Sequence, residues 1–193
     1  MSFISLNFVV LFACTFILYH TLPSRFRKAT LLTASCLFIG FYHLAFLITA
    51  LILTLTTFYL GKWIGQTKRE SGMKGIYFSG VCFLVVSWLA FRYADRLTNC
   101  HILFPLGISF YTFQAISYLT EIYWQEEEPE KSLPDFMIYM LFFMKFLSGP
   151  IERAGDMLPQ LKSSKATDYA SMVYGMRLIV VGLIKKLILA DSI

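Results

Sequence analysis

Charge is scarce in this sequence. Asp, Glu, Lys and Arg make up 15% of its 193 residues, where a soluble domain usually carries about 25%. With 57% apolar residues and a mean hydropathy of +0.63, the chain lacks the polar surface that would keep it in water. Cysteines are few and carry no ligand spacing: Cys14, Cys36, Cys82 and Cys100 form no CxxC pair, and three of them lie inside apolar runs. Neither a disulfide framework nor a metal site is supported. The first residues hold no basic stretch and no small-x-small cleavage site follows, so Phe3 to Leu22 reads as a retained span with the N-terminus outside. Alternating strand patterns are missing as well. The charge-free runs are helix-length, which excludes a closed barrel and leaves helices to satisfy the backbone in hydrocarbon. Internal repeats, a soluble domain and low-complexity linkers are also lacking. The 17 Lys and Arg outnumber 12 acids, yet they lie in short clusters with no continuous basic face. That excludes a nucleic-acid partner and points to membrane lipids.

What is present is a series of apolar segments, at 3–22, 29–42, 44–61, 75–94, 101–120, 136–148 and 169–190. The stretch from Ala29 to Gly61 has no charge, and as one straight helix it would be about 50 Å long against a hydrocarbon core of about 30 Å. Arg25, Arg27 and Lys28 precede it and Lys62, Lys68, Arg69 and Lys74 follow it. Short basic loops prefer the cytoplasm, so both ends belong inside and the stretch folds back in a hairpin near Gly40 to His43. Segment 75–94 then runs outward and 101–120 returns. Segment 136–148 holds Lys145, is too short to span, and stops at Ser148-Gly149-Pro150, which reads as a re-entrant or half-span element. Glu126, Glu127, Glu128 and Glu130 read as a solvated loop. The expected fold is all-α: a polytopic transmembrane helical bundle, one membrane-embedded domain over 1–193.

Two stretches carry candidate chemistry. In the run from Phe104 to Tyr118, Pro105 and Gly107 punctuate a helix start, and Tyr111, Gln114, Tyr118 and Glu121 share one face while Ser109, Phe113 and Ile116 share the other. Such a polar stripe faces protein or water. It either lines a substrate tunnel or makes interhelical hydrogen bonds, worth about 0.6 kcal/mol each. In Phe146-Leu-Ser-Gly-Pro-Ile-Glu-Arg153 a corner at Gly149 and Pro150 sets Glu152 and Arg153 just past a hydrophobic half-helix. That corner is either a loop shaping a site or an interfacial turn whose charges reach headgroups. Lys145 is open in the same way, as a snorkelling anchor or as a buried cation. Ser171, Gly175 and Gly182 form a small-residue face suited to helix packing. His20, His43 and His101 assemble no triad and no metal constellation.

Taken together, Pro105-Leu-Gly-Ile-Ser-Phe-Tyr-Thr-Phe-Gln114, Phe91-Arg-Tyr-Ala94, Ser148-Gly-Pro-Ile-Glu-Arg153 with Pro159-Gln160, and Gly182-Leu-Ile-Lys-Lys186 with Ala190-Asp191 resemble the membrane-bound O-acyltransferase family. The resemblance is to its bacterial branch, which acetylates exported polysaccharides such as alginate or alanylates teichoic acids. It covers nearly the whole chain and implies the N-terminal part of that fold, in the bacterial cytoplasmic (inner) membrane with several passes. It further implies transfer of an acyl group, acetyl by expectation, from acyl-coenzyme A or an acyl-carrier protein. No cofactor is expected to be bound. The acceptor is a hydroxyl of an exported polymer or of a periplasmic or extracellular partner protein. Such chemistry needs a base for the hydroxyl and donors for the oxyanion. The family's base is a histidine in a Trp-His-Gly stretch, expected downstream of Ile193, so no catalytic residue is assigned within the chain. The alternative is a non-catalytic, truncated membrane subunit or scaffold of an envelope polysaccharide-modification complex. A transporter is disfavoured by the lack of duplicated halves and of paired intramembrane carboxylates.

Overall fold

Each apolar run holds a helix among the described residues, and several of these helices continue past the run into charged residues. The computed structural model describes residues 6–98, 107–146, 149, 151–163, 168–185 and 188. It holds α1 (Leu6–Thr21), α2 (Ser24–Tyr42), α3 (Leu44–Gln66), α4 (Glu70–Thr98), α5 (Ile108–Tyr123), α6 (Leu133–Leu141), α7 (Ala154–Lys162) and α8 (Tyr169–Ile184), with no strand among the described residues. The all-α class is what the chain shows. α2 already includes Arg25, Arg27 and Lys28, α3 runs through Lys62, and α4 starts at Glu70, whose carboxylate meets Lys74 one turn on at 2.7 Å. Hydropathy stops at the first charge, but backbone hydrogen bonding does not. Long cationic side chains prolong a helix at little cost because their stems keep their rotamer freedom.

The breaks have local causes. Pro23 has no N–H to give a preceding turn and stands at the N-cap of α2 with φ −55°. Between α2 and α3 a single residue, His43, is extended (φ −167°), and its Nδ1 accepts the Ala45 N–H at 3.4 Å. This break lies within the stretch where the charge pattern put a turn.

Among the described residues two helices are long and apolar enough to cross a membrane, Leu44–Gln66 and the Glu70–Tyr93 part of α4. On α3 the side of Phe46, Ala50, Leu53, Thr57, Gly61 and Ile64 is buried, whereas Leu44, Ile48, Ile52, Tyr59 and Trp63 on its other side are exposed. The helix is therefore apolar on both sides. Its threonines bond their hydroxyls backward, Thr54 to the Ala50 carbonyl and Thr57 to the Leu53 carbonyl, both at 2.7 Å. That satisfies the hydroxyl within the helix itself.

Residues up to Lys162 form one unit and those from Ser163 a second, with α8 as its helix. In the first, α2 packs on α1, α3 and α6, while α5 lies against α3, α4 and α6, and α7 leans on α6. α6 is the centre of this packing. Ser132 caps it by accepting the Asp135 N–H at 3.4 Å, Pro134 sits in its first turn, and Phe136, Ile138, Tyr139, Met140 and Leu141 are all buried. At nine residues it is about 13 Å long, well short of a hydrocarbon core. After Leu141 the chain turns, with Lys145 and Phe146 both donating N–H to the Phe142 carbonyl at 3.1 Å. Residues 147 and 148, the end of the expected half-span, lie outside the described residues, as do residues 101–106 before α5.

Two glycines of this unit are set for a direct comparison. A Cβ on Gly65 of α3 would collide with the Pro129 ring, whereas one on Gly75 of α4 meets nothing within 4 Å. Gly65→Ala should cost about 1–3 kcal/mol by overpacking, and Gly75→Ala should stabilise by up to about 1 kcal/mol through helix propensity. Thermal unfolding in detergent, followed by loss of helical circular dichroism, measures both.

Candidate functional site

The site grows from the start of α5. Gly107 holds its N-cap in the left-handed region, φ 73°, and a Cβ there would run into the Phe146 carbonyl oxygen. A side chain at this position is excluded twice, by backbone conformation and by space. The turn after α6 can thus lie directly on the beginning of α5. One turn further along, Tyr111 stacks on the Phe146 ring, centroids 5.4 Å apart and planes 19° from parallel.

From there the buried side of α5 meets α6 and the segments beyond it. Gln114 donates from Nε2 to the Tyr139 carbonyl at 2.9 Å. Tyr118, fully buried, accepts the Glu130 N–H at 3.0 Å and sets its ring so close to α3 that only a glycine, Gly61, fits beside it. Glu121 accepts from Ser117 Oγ at 3.0 Å and, with its other oxygen, from the Ala154 N–H at 3.3 Å. A carboxylate at the first residue of α7 complements that helix's positive end. Of the stripe, Tyr111 alone is unsatisfied: its buried hydroxyl has no hydrogen-bond partner among the described residues. On the opposite side of α5, Phe113 is exposed, and Ser109 accepts the Trp88 Nε1–H at 2.9 Å.

A second chain of contacts joins the Gly-Pro corner to this stripe. Tyr139 donates its hydroxyl to the Glu152 carbonyl at 3.0 Å, and Lys145 Nζ lies 3.2 Å from Glu152 Oε2, 3.0 Å from Met157 Sδ and 4.5 Å above the Tyr139 ring. Lys145 is 9% exposed, so its ammonium is held by a carboxylate, a sulfur and a π-face rather than by solvent. Gln114 is thereby linked through Tyr139 to Lys145 and Glu152, more than thirty residues further along the chain. Gly149 closes the turn by donating its N–H to the Lys145 carbonyl at 2.9 Å. The Arg153 side chain is exposed, while its carbonyl accepts the N–H groups of Asp156 and Met157 in the first turn of α7. Pro105 and Pro150 lie outside the described residues.

The acidic stretch departs from the solvated loop expected for it. Glu126, Glu127 and Glu128 are exposed, but Glu130 is buried. Its Oε1 accepts the N–H groups of Lys131 and Ser132 at 2.8 Å each, and its other oxygen meets Lys162 at 2.7 Å. Asp135 is likewise buried and clasped by Lys28 at 2.6 Å. Sequence reasoning missed these carboxylates, Tyr139 and helix α7. For Asp135 a signal existed, since Ser132-Leu-Pro-Asp135 is an N-terminal capping pattern with proline in the first turn. α7 is a short amphipathic helix with Pro159 inside it, and hydropathy is blind to such a segment.

Chemically, the site offers donors, a buried cation and carboxylates, but its described histidines are engaged elsewhere. His43 caps α3, and His20 packs its ring against Phe16 at 4.5 Å. Among the described residues no three His, Cys, Asp or Glu side chains lie close enough together to hold a metal ion.

Comparison with known proteins bears on this arrangement. The chain is 30% identical to a probable alginate O-acetylase of Azotobacter vinelandii, over all of this chain and 42% of that protein. It is 29% identical to the corresponding Pseudomonas aeruginosa protein, over all of this chain and 40% of the relative. A peptidoglycan O-acetyltransferase of Helicobacter pylori is 25% identical over 86% of this chain and 39% of its own length. The resemblance carried by the motifs is thus a whole-chain relationship to bacterial O-acetyltransferases, and the chain spans about two fifths of the length of the curated relatives it matches. No protein-family profile matches the chain, and no solved structure does.

The Lys145–Glu152 pair separates a packing role from a charge role. Glu152→Ala leaves a buried ammonium without its carboxylate and should destabilise by about 1–2 kcal/mol, discounted for the half-exposed Glu152. Lys145→Met removes the charge and keeps an unbranched apolar stem, so it should be near neutral. Denaturant titration of both variants in detergent, and of the double variant, reads the coupling.

Proposed function

We propose that the chain is the membrane-embedded part of an O-acetyltransferase that moves an acetyl group onto a hydroxyl of an exported cell-envelope polysaccharide. The observation that carries this reading is the relationship along the full chain to probable alginate O-acetylases, and along 86% of it to a peptidoglycan O-acetyltransferase. Supporting it, α3 and α4 are long enough to cross a bilayer, and α3 is apolar on its exposed side as well as on its buried one. In water that side would be an unusually large exposed apolar surface; in lipid it has a solvent. We read the protein as a multi-pass helical bundle of the bacterial inner membrane, N-terminus outside, with α6 and the turn after it as the re-entrant element.

In this reading the polar face of α5 and the corner at Gly149 form one wall of a tunnel. Tyr111, Gln114, Tyr118, Lys145, Glu152 and Arg153 would orient donor and acceptor there, and Pro105, Gly107, Ser109 and Pro150 would shape the backbone around them. Of this face only the Tyr111 hydroxyl has no partner among the described residues, and a free donor there suits an oxyanion or the phosphates of an acyl-carrying cosubstrate, acyl-coenzyme A or an acyl-carrier protein. The acceptor is a polysaccharide or a periplasmic partner. The base is the histidine that the family resemblance implies outside residues 1–193; His20 and His43 are committed to packing and capping, and His101 lies outside the described residues. That same commitment favours the second reading, a non-catalytic membrane subunit.

Grafting tests the proposal. When this chain replaces the matching region of the Pseudomonas aeruginosa relative, the chimera should restore ester-linked acetate on alginate. A chimera that inserts stably and leaves alginate unmodified speaks against the proposal. In that chimera Tyr111→Phe, which removes only the unpartnered hydroxyl, should lower acetylation about a hundredfold, the size expected for losing one positioned donor. Residues 1–193 alone, reconstituted with labelled acetyl-coenzyme A and alginate, should transfer no label. Orientation is checked separately: with Cys14, Cys36, Cys82 and Cys100 replaced by serine, Lys68→Cys should resist a membrane-impermeant thiol reagent added outside and react once the membrane is opened.

A further inference from the structure

α8 has no buried residue, yet in its apolar sequence stands one charge. Between Asp168 at its N-cap and Lys185 at its C-cap, Arg177 is the only charged side chain. It lies nine residues from the first and eight from the second, or about 13 Å and 12 Å along the axis. An extended arginine side chain covers only about 7 Å. With α8 across a bilayer the guanidinium therefore sits at mid-depth, beyond snorkelling reach of either end. A charge placed there is costly unless another group pairs it.

Among the described residues Arg177 makes no ion pair, side-chain hydrogen bond or ring contact. The buried carboxylates of residues 6–162 already have their donors. Asp135 is held by Lys28, Glu130 by Lys162, and Glu121 by Ser117 and the Ala154 N–H. One turn to either side of Arg177, and two turns on, the same face of α8 carries Val173, Tyr174, Val180, Val181 and Ile184. Val173 is partly exposed and the other four are exposed. The face is thus apolar apart from a single cation at its midpoint.

We infer that this face of α8 docks a transmembrane helix bearing one Asp or Glu at mid-depth, supplied by the part of such an O-acetyltransferase that lies outside residues 1–193. The inference rests on the membrane-embedded reading above. The matched relatives have room for that helix, since this chain covers about two fifths of each. An apolar helix with one carboxylate complements the face in both respects, hydrocarbon against hydrocarbon and charge against charge. A water-filled cavity or a soluble ligand would be met by several polar groups, and here valine and isoleucine flank the cation. A second copy of α8 packed by this face would set Arg177 against Arg177 in either direction, because the residue is central.

The chimera with the Pseudomonas aeruginosa relative tests it, fused to a fluorescent protein that folds on either side of the membrane. Fluorescence of the washed membrane fraction measures stably assembled protein. Arg177→Leu makes α8 more apolar, so an arginine that faced lipid would give unchanged or higher fluorescence. A paired arginine gives a several-fold loss, because the substitution leaves a carboxylate alone among packed helices. Arg177→Lys should keep most of the signal, and Arg177→Gln should lose it as Arg177→Leu does. Mutagenesis of the relative's portion in the Arg177→Leu chimera, followed by sorting for recovered fluorescence, should return neutral replacements of one Asp or Glu within an apolar segment. Unchanged or raised fluorescence in Arg177→Leu, full retention in Arg177→Gln as a water-lined cavity would allow, or a sort that returns no carboxylate replacement would each overturn the inference. So would an unsubstituted chimera that fails to accumulate in the membrane. A chimera that accumulates, responds to Arg177 as expected and leaves alginate unmodified defeats the function proposed above and leaves the docking face standing.

Discussion

An amide or carboxylate placed among packed helices has no water to turn to, and the side of α5 that carries Gln114, Tyr118 and Glu121 exists only because later segments bring it partners. Each of those partners is backbone or short-range: the Tyr139 carbonyl, the Glu130 N–H, the Ala154 N–H. α6 must be buried to offer the first, the acidic loop must fold inward to offer the second, and α7 must begin where it does to offer the third. The order of the second half of this unit therefore follows from satisfying one helix face.

The apolar framework was legible because lipid-length runs and basic clusters are written directly in residue types, and the helix class follows from run length alone. The periodicity of α5 was legible too, since a polar residue every third or fourth position survives any packing arrangement. What stayed hidden depends on distance in the chain. Lys28 and Asp135 lie 107 positions apart, and nothing local tells a lysine in a basic loop that its counter-charge waits at the start of α6. Glu130 looked like its neighbours Glu126 to Glu128 because a charge run has no internal mark. It is distinguished only by the backbone donors that curl around it and by Lys162. The face of α5 was readable, but its occupants were not: spacing says that Gln114 looks inward and cannot say that it meets a carbonyl of α6.

The three ion pairs around this core share one design. In each, one partner is buried and the other half-exposed: Asp135 with Lys28, Glu130 with Lys162, Lys145 with Glu152. A fully buried pair would lose the hydration of both ions, which often cancels the attraction. Here one ion keeps its water while the other sits where it fixes geometry, at the N-terminus of α6, at the root of the acidic loop, and under the Gly149 turn. The pairs serve as fasteners between segments distant in the chain.

The single-residue joint at His43 carries a consequence for how such a sequence can vary. An insertion or deletion there would turn all of α3 by about 100° about its own axis relative to α2. The row Leu44, Ile48, Ile52, Tyr59 and Trp63 would then swing toward the core, and the row ending at Gly61 and Ile64 would swing out. The stretch Gln125–Glu128, by contrast, is exposed and can change length without rotating any helix. Length differences among homologous chains should accumulate in the second place and be purged from the first, so that the tightest joint in the fold acts as the phase reference for every face that follows it.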